Sequence, residues 1–163
     1  MKVAIFLGSE SDFDVVKDAL GVLREFEVPF ELEITSAHRS PERTVKLLKS
    51  FEKKGVEIFI AVAGKAAHLA GVVASHTTRP VIGVPVEGAT LNGLDALLST
   101  VQMPRGVPVA CMGLGKSGAL NAVLLAIQIL GIKDISLAVK MKEYREKMAH
   151  KVDLSSRKIR EKM

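Results

Sequence analysis

KVAIFLGSESDFDVVKDALGVLREF, residues 2–26, sets a strand, a tight turn and a helix in immediate succession. Lys2–Leu7 is a β-type apolar run that stops at Gly8. From Ser11 to Phe26 the period changes: Val15, Val16, Ala19, Leu20, Leu23 and Phe26 recur every three or four residues, as on one face of a helix. Ser11 or Asp12 is placed to cap its start. The same strand–helix unit recurs along the chain. Phe30–Ile34 (FELEI) alternates apolar and acidic residues, which predicts a strand with one wet face near a sheet edge. Pro41–Lys54 is an amphipathic helix with its proline in the first turn, where the missing N–H costs nothing. Then come a strand over Val56–Val62, a small-residue helix over Ala66–Ser75, a strand over Pro80–Val86, a short helix over Gly93–Thr100 and a fifth strand over Val107–Met112. Gly118–Leu130 is apolar on nearly all sides, which predicts a helix covered all round, in part by other subunits. Asp134–Lys151 closes the pattern as a helix of mixed charge.

Alternating strands and helices imply a parallel sheet covered on both faces, with right-handed crossovers. The expected fold class is α/β, a flavodoxin-like five-stranded sheet of order 2-1-3-4-5 followed by a C-terminal helix. In that order ligands sit beyond the C-terminal strand ends, at the switch between strands 1 and 3. One catalytic domain over residues 1–151 and a basic tail over 152–163 are expected.

Composition narrows the function classes. The chain has 163 residues, one cysteine (Cys111), no Trp and 4% aromatic residues. A single cysteine excludes an internal disulfide and a zinc site of two or more cysteines. The apolar run near the N-terminus is too short for a signal-peptide core, and no stretch approaches a membrane span; a cytoplasmic protein without membrane contact is expected. Nine Lys/Arg face four Asp/Glu from Lys140 to Met163, so the net charge of +5 lies there, while residues 1–139 carry 14 of each sign. The folded body therefore lacks the basic patch and stacking aromatics of a nucleic-acid binder, and the basic end reads as a solvated tail.

The chemistry-bearing residues gather at the strand ends. Strand 1 ends in Gly8-Ser9-Glu10-Ser11-Asp12, strand 2 in Ser36-Ala37-His38-Arg39-Ser40, and strand 3 in Gly64-Lys65-Ala66-Ala67-His68-Leu69. Each segment offers free backbone N–H groups and the positive end of a helix, an arrangement suited to phosphate. Ser9 and Ser11 add hydroxyls, and Asp12 suits sugar hydroxyls. The motif is neither a GxGxxG nor a P-loop. Arg39 is a natural bidentate phosphate ligand. His38 beside it is the best-placed proton shuttle, because imidazole titrates near neutral pH. His68 is either a second functional group or a helix cap. Pro85–Gly88 follows strand 4 and points the same way. Ser99–Gly106 precedes strand 5, so it is expected at the opposite sheet end.

These segments, GSESD (8–12), SAHRSP (36–41), AGKAAHLAG (63–71), PVIGVPVEG (80–88) and LNGLDALLSTVQMPRGVPVA (91–110), with the Asn121-Ala122 helix, resemble the bacterial and archaeal N5-carboxyaminoimidazole ribonucleotide mutase family, the catalytic subunit of phosphoribosylaminoimidazole carboxylase. The resemblance implies a three-layer α/β/α sandwich assembled as a homo-octamer. It implies interconversion of 5-carboxyamino-1-(5-phospho-D-ribosyl)imidazole and 5-amino-1-(5-phospho-D-ribosyl)imidazole-4-carboxylate, without metal or cofactor. An ATP-dependent carboxyaminoimidazole ribonucleotide synthase is the implied functional partner. By motif position Ser9 and Arg39 would bind phosphate and Asp12 the ribose, with Gly8, Ser11 and Ser36 beside them. His38 would be the general acid/base; His68 and the backbone from Gly64 through Ala66, Ala67 and Leu69 would line the carboxylate or CO2 pocket. The family usually reads GGAAHLPG where this chain has Lys65 and Ala70; set beside the implied CO2 pocket, Lys65 would either face solvent or meet the substrate carboxylate. A related branch that carboxylates the aminoimidazole nucleotide directly carries SAHK and a serine–asparagine in place of AAHL; this chain has neither. Direct carboxylation remains the alternative within enzymes. A phosphoacceptor signalling module would need an aspartate at the end of strand 3, where the chain has Ala61-Val62-Ala63-Gly64.

Overall fold

A computed structural model describes residues 2–88 and 90–163; Met1, where the expected domain begins, and Ala89 lie outside the described residues. The chain forms two compact units, residues 1–126 and 127–163. The first holds a five-stranded parallel sheet of order β2-β1-β3-β4-β5, built from β1 (Val3–Leu7), β2 (Phe30–Ile34), β3 (Ile58–Gly64), β4 (Val81–Val86) and β5 (Ala110–Cys111). The helices are α1 (Phe13–Glu25), α2 (Pro41–Lys53), α3 (Leu69–Ser75), α4 (Leu94–Val101), α5 (Gly115–Gly131) and α6 (Ile135–Arg160). This is the flavodoxin-like α/β arrangement expected from the strand–helix alternation.

Register explains why the central strands are apolar throughout. Val3, Ile5 and Leu7 of β1 pair with Ile58, Ile60 and Val62 of β3, so these six share one face. Ala4 and Phe6 pair with Phe59 and Ala61 on the other, where Leu48 and Phe51 of α2 and Leu69, Ala70 and Val73 of α3 cover them. Both faces are buried, as a parallel sheet between two helical layers requires. β2 stands at the edge and is half-exposed, in keeping with its alternating glutamates. Gly83 of β4 is the tightest junction under α3 and α4: a Cβ there would collide with Thr100 Cγ2 and stand 3.0 Å from Val109 Cγ1 and 3.1 Å from Ala70 Cβ.

Several boundaries differ from expectation. The helix expected from Ala66 begins only at Leu69, because Lys65–His68 is spent on a loop that turns through a left-handed Lys65. The fifth strand shrinks from six residues to Ala110–Cys111, paired only with Ile82 and Gly83 of β4; Pro108 has no N–H to give a ladder. Within α5, Ala119, Ala122, Val123, Ala126, Ile127 and Leu130 form a buried stripe, while Leu124, Leu125 and Ile129 are only half-buried. The single chain thus covers one side of this helix, not all of it. In the second unit the Asp134 carboxylate accepts the Ser136 amide at 3.0 Å and starts α6. That helix continues past Lys151 to Arg160, so residues 152–160 of the expected tail are helical, and only Leu137 and Met141 of α6 are buried. No helix among the described residues is long and apolar enough to cross a membrane.

Candidate active site

Four loops at the C-terminal ends of β1, β2, β3 and β4 surround one cavity of about 520 Å³. The first continues β1: the Gly8 amide donates to Val62 O at 2.9 Å, carrying the ladder one residue further. A single 3-10 turn follows over Glu10–Asp12. The Ser9 amide donates to Asp12 Oδ2 at 3.0 Å and the Asp12 amide to Ser9 O at 3.1 Å, so serine and aspartate lock one another. Ser11 Oγ lies 3.1 Å from Ser9 Oγ, placing two hydroxyls side by side at the rim. Asp12 is only 6% exposed. Burial pushes its carboxyl above the ordinary carboxylate range, and the Ser9 amide offsets part of that rise.

The second loop is held from below by a buried contact between Thr35 Oγ1 and Thr44 Oγ1 at 2.8 Å. Above it Ser40 Oγ accepts the Ser36 amide at 3.0 Å, and Ser36 Oγ accepts the Arg39 amide at 3.1 Å. Ser36, expected to bind substrate, lines the cavity, and its hydroxyl oxygen also shapes this turn. The result projects His38 and Arg39 over the switch between β1 and β3. Arg39 Nη2 donates to Gly8 O at 3.4 Å, tying the second loop to the first.

The third loop brings His68. It stands at the N-cap of α3, but its side chain makes no capping hydrogen bond there. Instead His68 Nδ1 lies 2.8 Å from His38 Nε2, with the rings 80° apart. Such a contact needs a proton on one nitrogen and a lone pair on the other, so the rings can pass a proton between them. Gly64, Ala66 and Leu69 line the cavity with His68; Ala67 does not, its side chain being buried in the fold. The remaining expected residues, Gly8, Ser9, Ser11, Asp12, His38 and Arg39, all face the same space. Beyond them, Val86, Glu87 and Gly88 close the side under β4. Their signal was positional: they too follow a strand's C-terminus. Cys111 has no part here, and burial pushes its thiol up.

One expectation is corrected. The start of the Ser99–Gly106 loop does not lie at the far sheet end. Ser99, Gln102 and Met103 flank a shallow groove with Leu98, Gly71 and His68. α4 spans only eight residues, and Gly71 lacks the side chain that would keep Met103 away: Met103 Sδ stands 3.2 Å from where a Cβ would be.

The model of the family described as AIR carboxylase matches residues 2–151. The chain belongs to that family. Among its relatives, the N5-carboxyaminoimidazole ribonucleotide mutase of Pyrococcus horikoshii is 49% identical over 159 residues, covering 98% of this chain and 89% of the relative. The enzyme of the same name from Methanocaldococcus jannaschii is 51% identical, with 98% of each chain covered. A crystal structure of Treponema denticola PurE superposes with a TM-score of 0.86 at 29% identity, covering 96% of each chain. Family membership thus extends over the sheet and all the loops described above.

Proposed function

We propose that this chain is an N5-carboxyaminoimidazole ribonucleotide mutase of purine biosynthesis, moving a carboxyl group from the exocyclic nitrogen of 5-carboxyamino-1-(5-phospho-D-ribosyl)imidazole to ring carbon 4. The observation that carries the reading is the 2.8 Å contact between His38 Nε2 and His68 Nδ1 at the edge of a cavity that also presents Arg39, Ser9 and Asp12. Arg39 and the Ser9 hydroxyl suit a phosphate, since a guanidinium is a charge-assisted donor. Asp12, fixed through one oxygen by the Ser9 amide, suits ribose hydroxyls with the other.

The chemistry asks for two proton transfers at one place. As the N–CO2 bond breaks, the exocyclic nitrogen takes a proton from the imidazolium form of His38 and CO2 is released into the cavity. Carbon 4, made electron-rich by the free amine, attacks the CO2. His38 then removes the proton from carbon 4 and is ready for the next turn. One group gives a proton and takes one back, so a single histidine suffices; His68 steadies its partner and shares the proton. CO2 must stay beside carbon 4, so the cavity must close. The apolar stripe Leu91, Leu94, Leu98 and Val101, each about half exposed along and before α4, supports closure by neighbouring copies; a homo-octamer is the assembly proposed. A cytoplasmic location, and supply of the substrate by an ATP-dependent synthase, complete the proposal.

Labelled-carboxyl transfer tests it. Substrate carrying 13C in its carbamate should give product carrying 13C at the 4-carboxylate, with little dilution by unlabelled bicarbonate. Full dilution would assign direct carboxylation instead, and no product from either route would refute the reading.

A further inference from the structure

We propose that Lys65 is a specificity-determining residue: its ammonium group holds the migrating carboxyl, and thereby lets the site distinguish a carboxylated nucleotide from its decarboxylated counterpart. The inference rests on the function proposed above and concerns one residue of that site.

The backbone draws attention to it first. Lys65 has φ +56°; the other described non-glycine residues in this region, Glu27 and Asn92, do not line the cavity. A left-handed conformation presses the Cβ of an L-residue against the following carbonyl, a cost glycine escapes. Lysine bears that cost here without repayment in packing, because it is exposed. Backbone strain retained in a ligand-facing loop points to a use for the side chain. The second observation is its charge. Lys65 lines the cavity, and no hydrogen bond or ion pair holds its side chain among the described residues.

Its loop is not one of those that carry the proposed phosphate ligands. Arg39 and the serine hydroxyls come from the loops after β2 and β1, and Arg39 is tied to Gly8 O. Lys65 comes from the loop after β3, three residues before His68, whose ring meets His38, and lines the same cavity. The substrate carries two anions; with Arg39 and the serine hydroxyls assigned to the phosphate, the carboxyl is left for Lys65. The carboxyl is an anion in both carboxylated nucleotides and neutral only as CO2. A fixed cation stabilises both carboxylated ground states but not CO2, so its loss weakens Kd and raises KM while kcat holds or rises.

Two variants separate this from other roles. Lys65→Gly removes the charge and relaxes the backbone; Lys65→Gln removes the charge and keeps the left-handed residue. Kd is measured by calorimetry for the 4-carboxylate nucleotide and for 5-aminoimidazole ribonucleotide, which shares the phosphate and ribose. Both variants should bind the carboxylated nucleotide about fivefold or more weakly, as expected for a lost charged contact at a half-open site. Affinity for the decarboxylated one should change less than twofold, kcat should hold or rise, and Lys65→Gly should melt no lower than the parent. Equal losses for the two ligands would move Lys65 to the phosphate, and unchanged Kd for both would leave it facing solvent; either result overturns the proposal. If the unsubstituted chain binds neither nucleotide, the failure lies with the proposed function itself.

Discussion

Replacing His38 by asparagine, alone and together with His68, probes the centre of the mechanism. His38→Asn removes the group proposed to donate and accept the proton, and an amide of similar polarity cannot replace it. General acid–base catalysis is worth about 10²–10⁴ in rate, or about 3–5 kcal/mol of barrier. His38→Asn should lose turnover in that range. Nucleotide binding should survive, because the turn that presents Arg39 is held by Ser36 and Ser40, and the guanidinium by Gly8 O, none of which involves the ring. His68→Asn leaves His38 in place but removes the nitrogen 2.8 Å from it, so a smaller loss of about 10-fold to 100-fold is expected. The double variant carries the sharper information. Two rings in contact act on one proton, so His38→Asn/His68→Asn should be no slower than His38→Asn alone. The assay follows 13C transfer from carbamate to 4-carboxylate, with Kd measured separately by calorimetry. Two results would refute the reasoning: a double loss equal to the product of the single losses, which makes the rings independent, or near-parental turnover by His38→Asn.

Asp12→Asn should exchange function for stability. Burial raises the Asp12 pKa above its ordinary 3.8, so the native state holds this proton more tightly than the unfolded chain. Its contribution to stability therefore falls as pH rises from about 4 through the raised value. The asparagine variant should gain Tm relative to the parent as pH climbs through that window and level off above it, while binding the nucleotide more weakly; a Tm difference that does not vary with pH would contradict the assignment. Gly83→Ala tests the seating of α3 and α4 on β4. The added methyl meets Thr100 Cγ2, Val109 Cγ1 and Ala70 Cβ at once, and overpacking of this kind costs about 1–3 kcal/mol. Urea unfolding should show that loss as a lower midpoint, and an unchanged midpoint would show that the junction yields freely.

How much of this was legible beforehand follows from the range of each interaction. The alternation of apolar runs with helical periods determined the element types, the parallel sheet and the site at the strand ends, because these follow from local backbone geometry and the burial of one face. Even the edge position of β2 is written in the alternation of FELEI. Motif order went further and marked Ser9, Asp12, His38, Arg39 and His68. What the chain could not state locally were contacts between residues far apart in sequence. The meeting of His38 with His68 across thirty residues depends on β1 standing between β2 and β3. The left-handed turn at Lys65, which delays α3, depends on where β3 must release the chain. The approach of Met103 to Gly71 depends on two helices sharing one face of the sheet. Periodicity specifies a residue's own face. Only the folded sheet, by fixing strand order and register, decides which distant side chain stands opposite it.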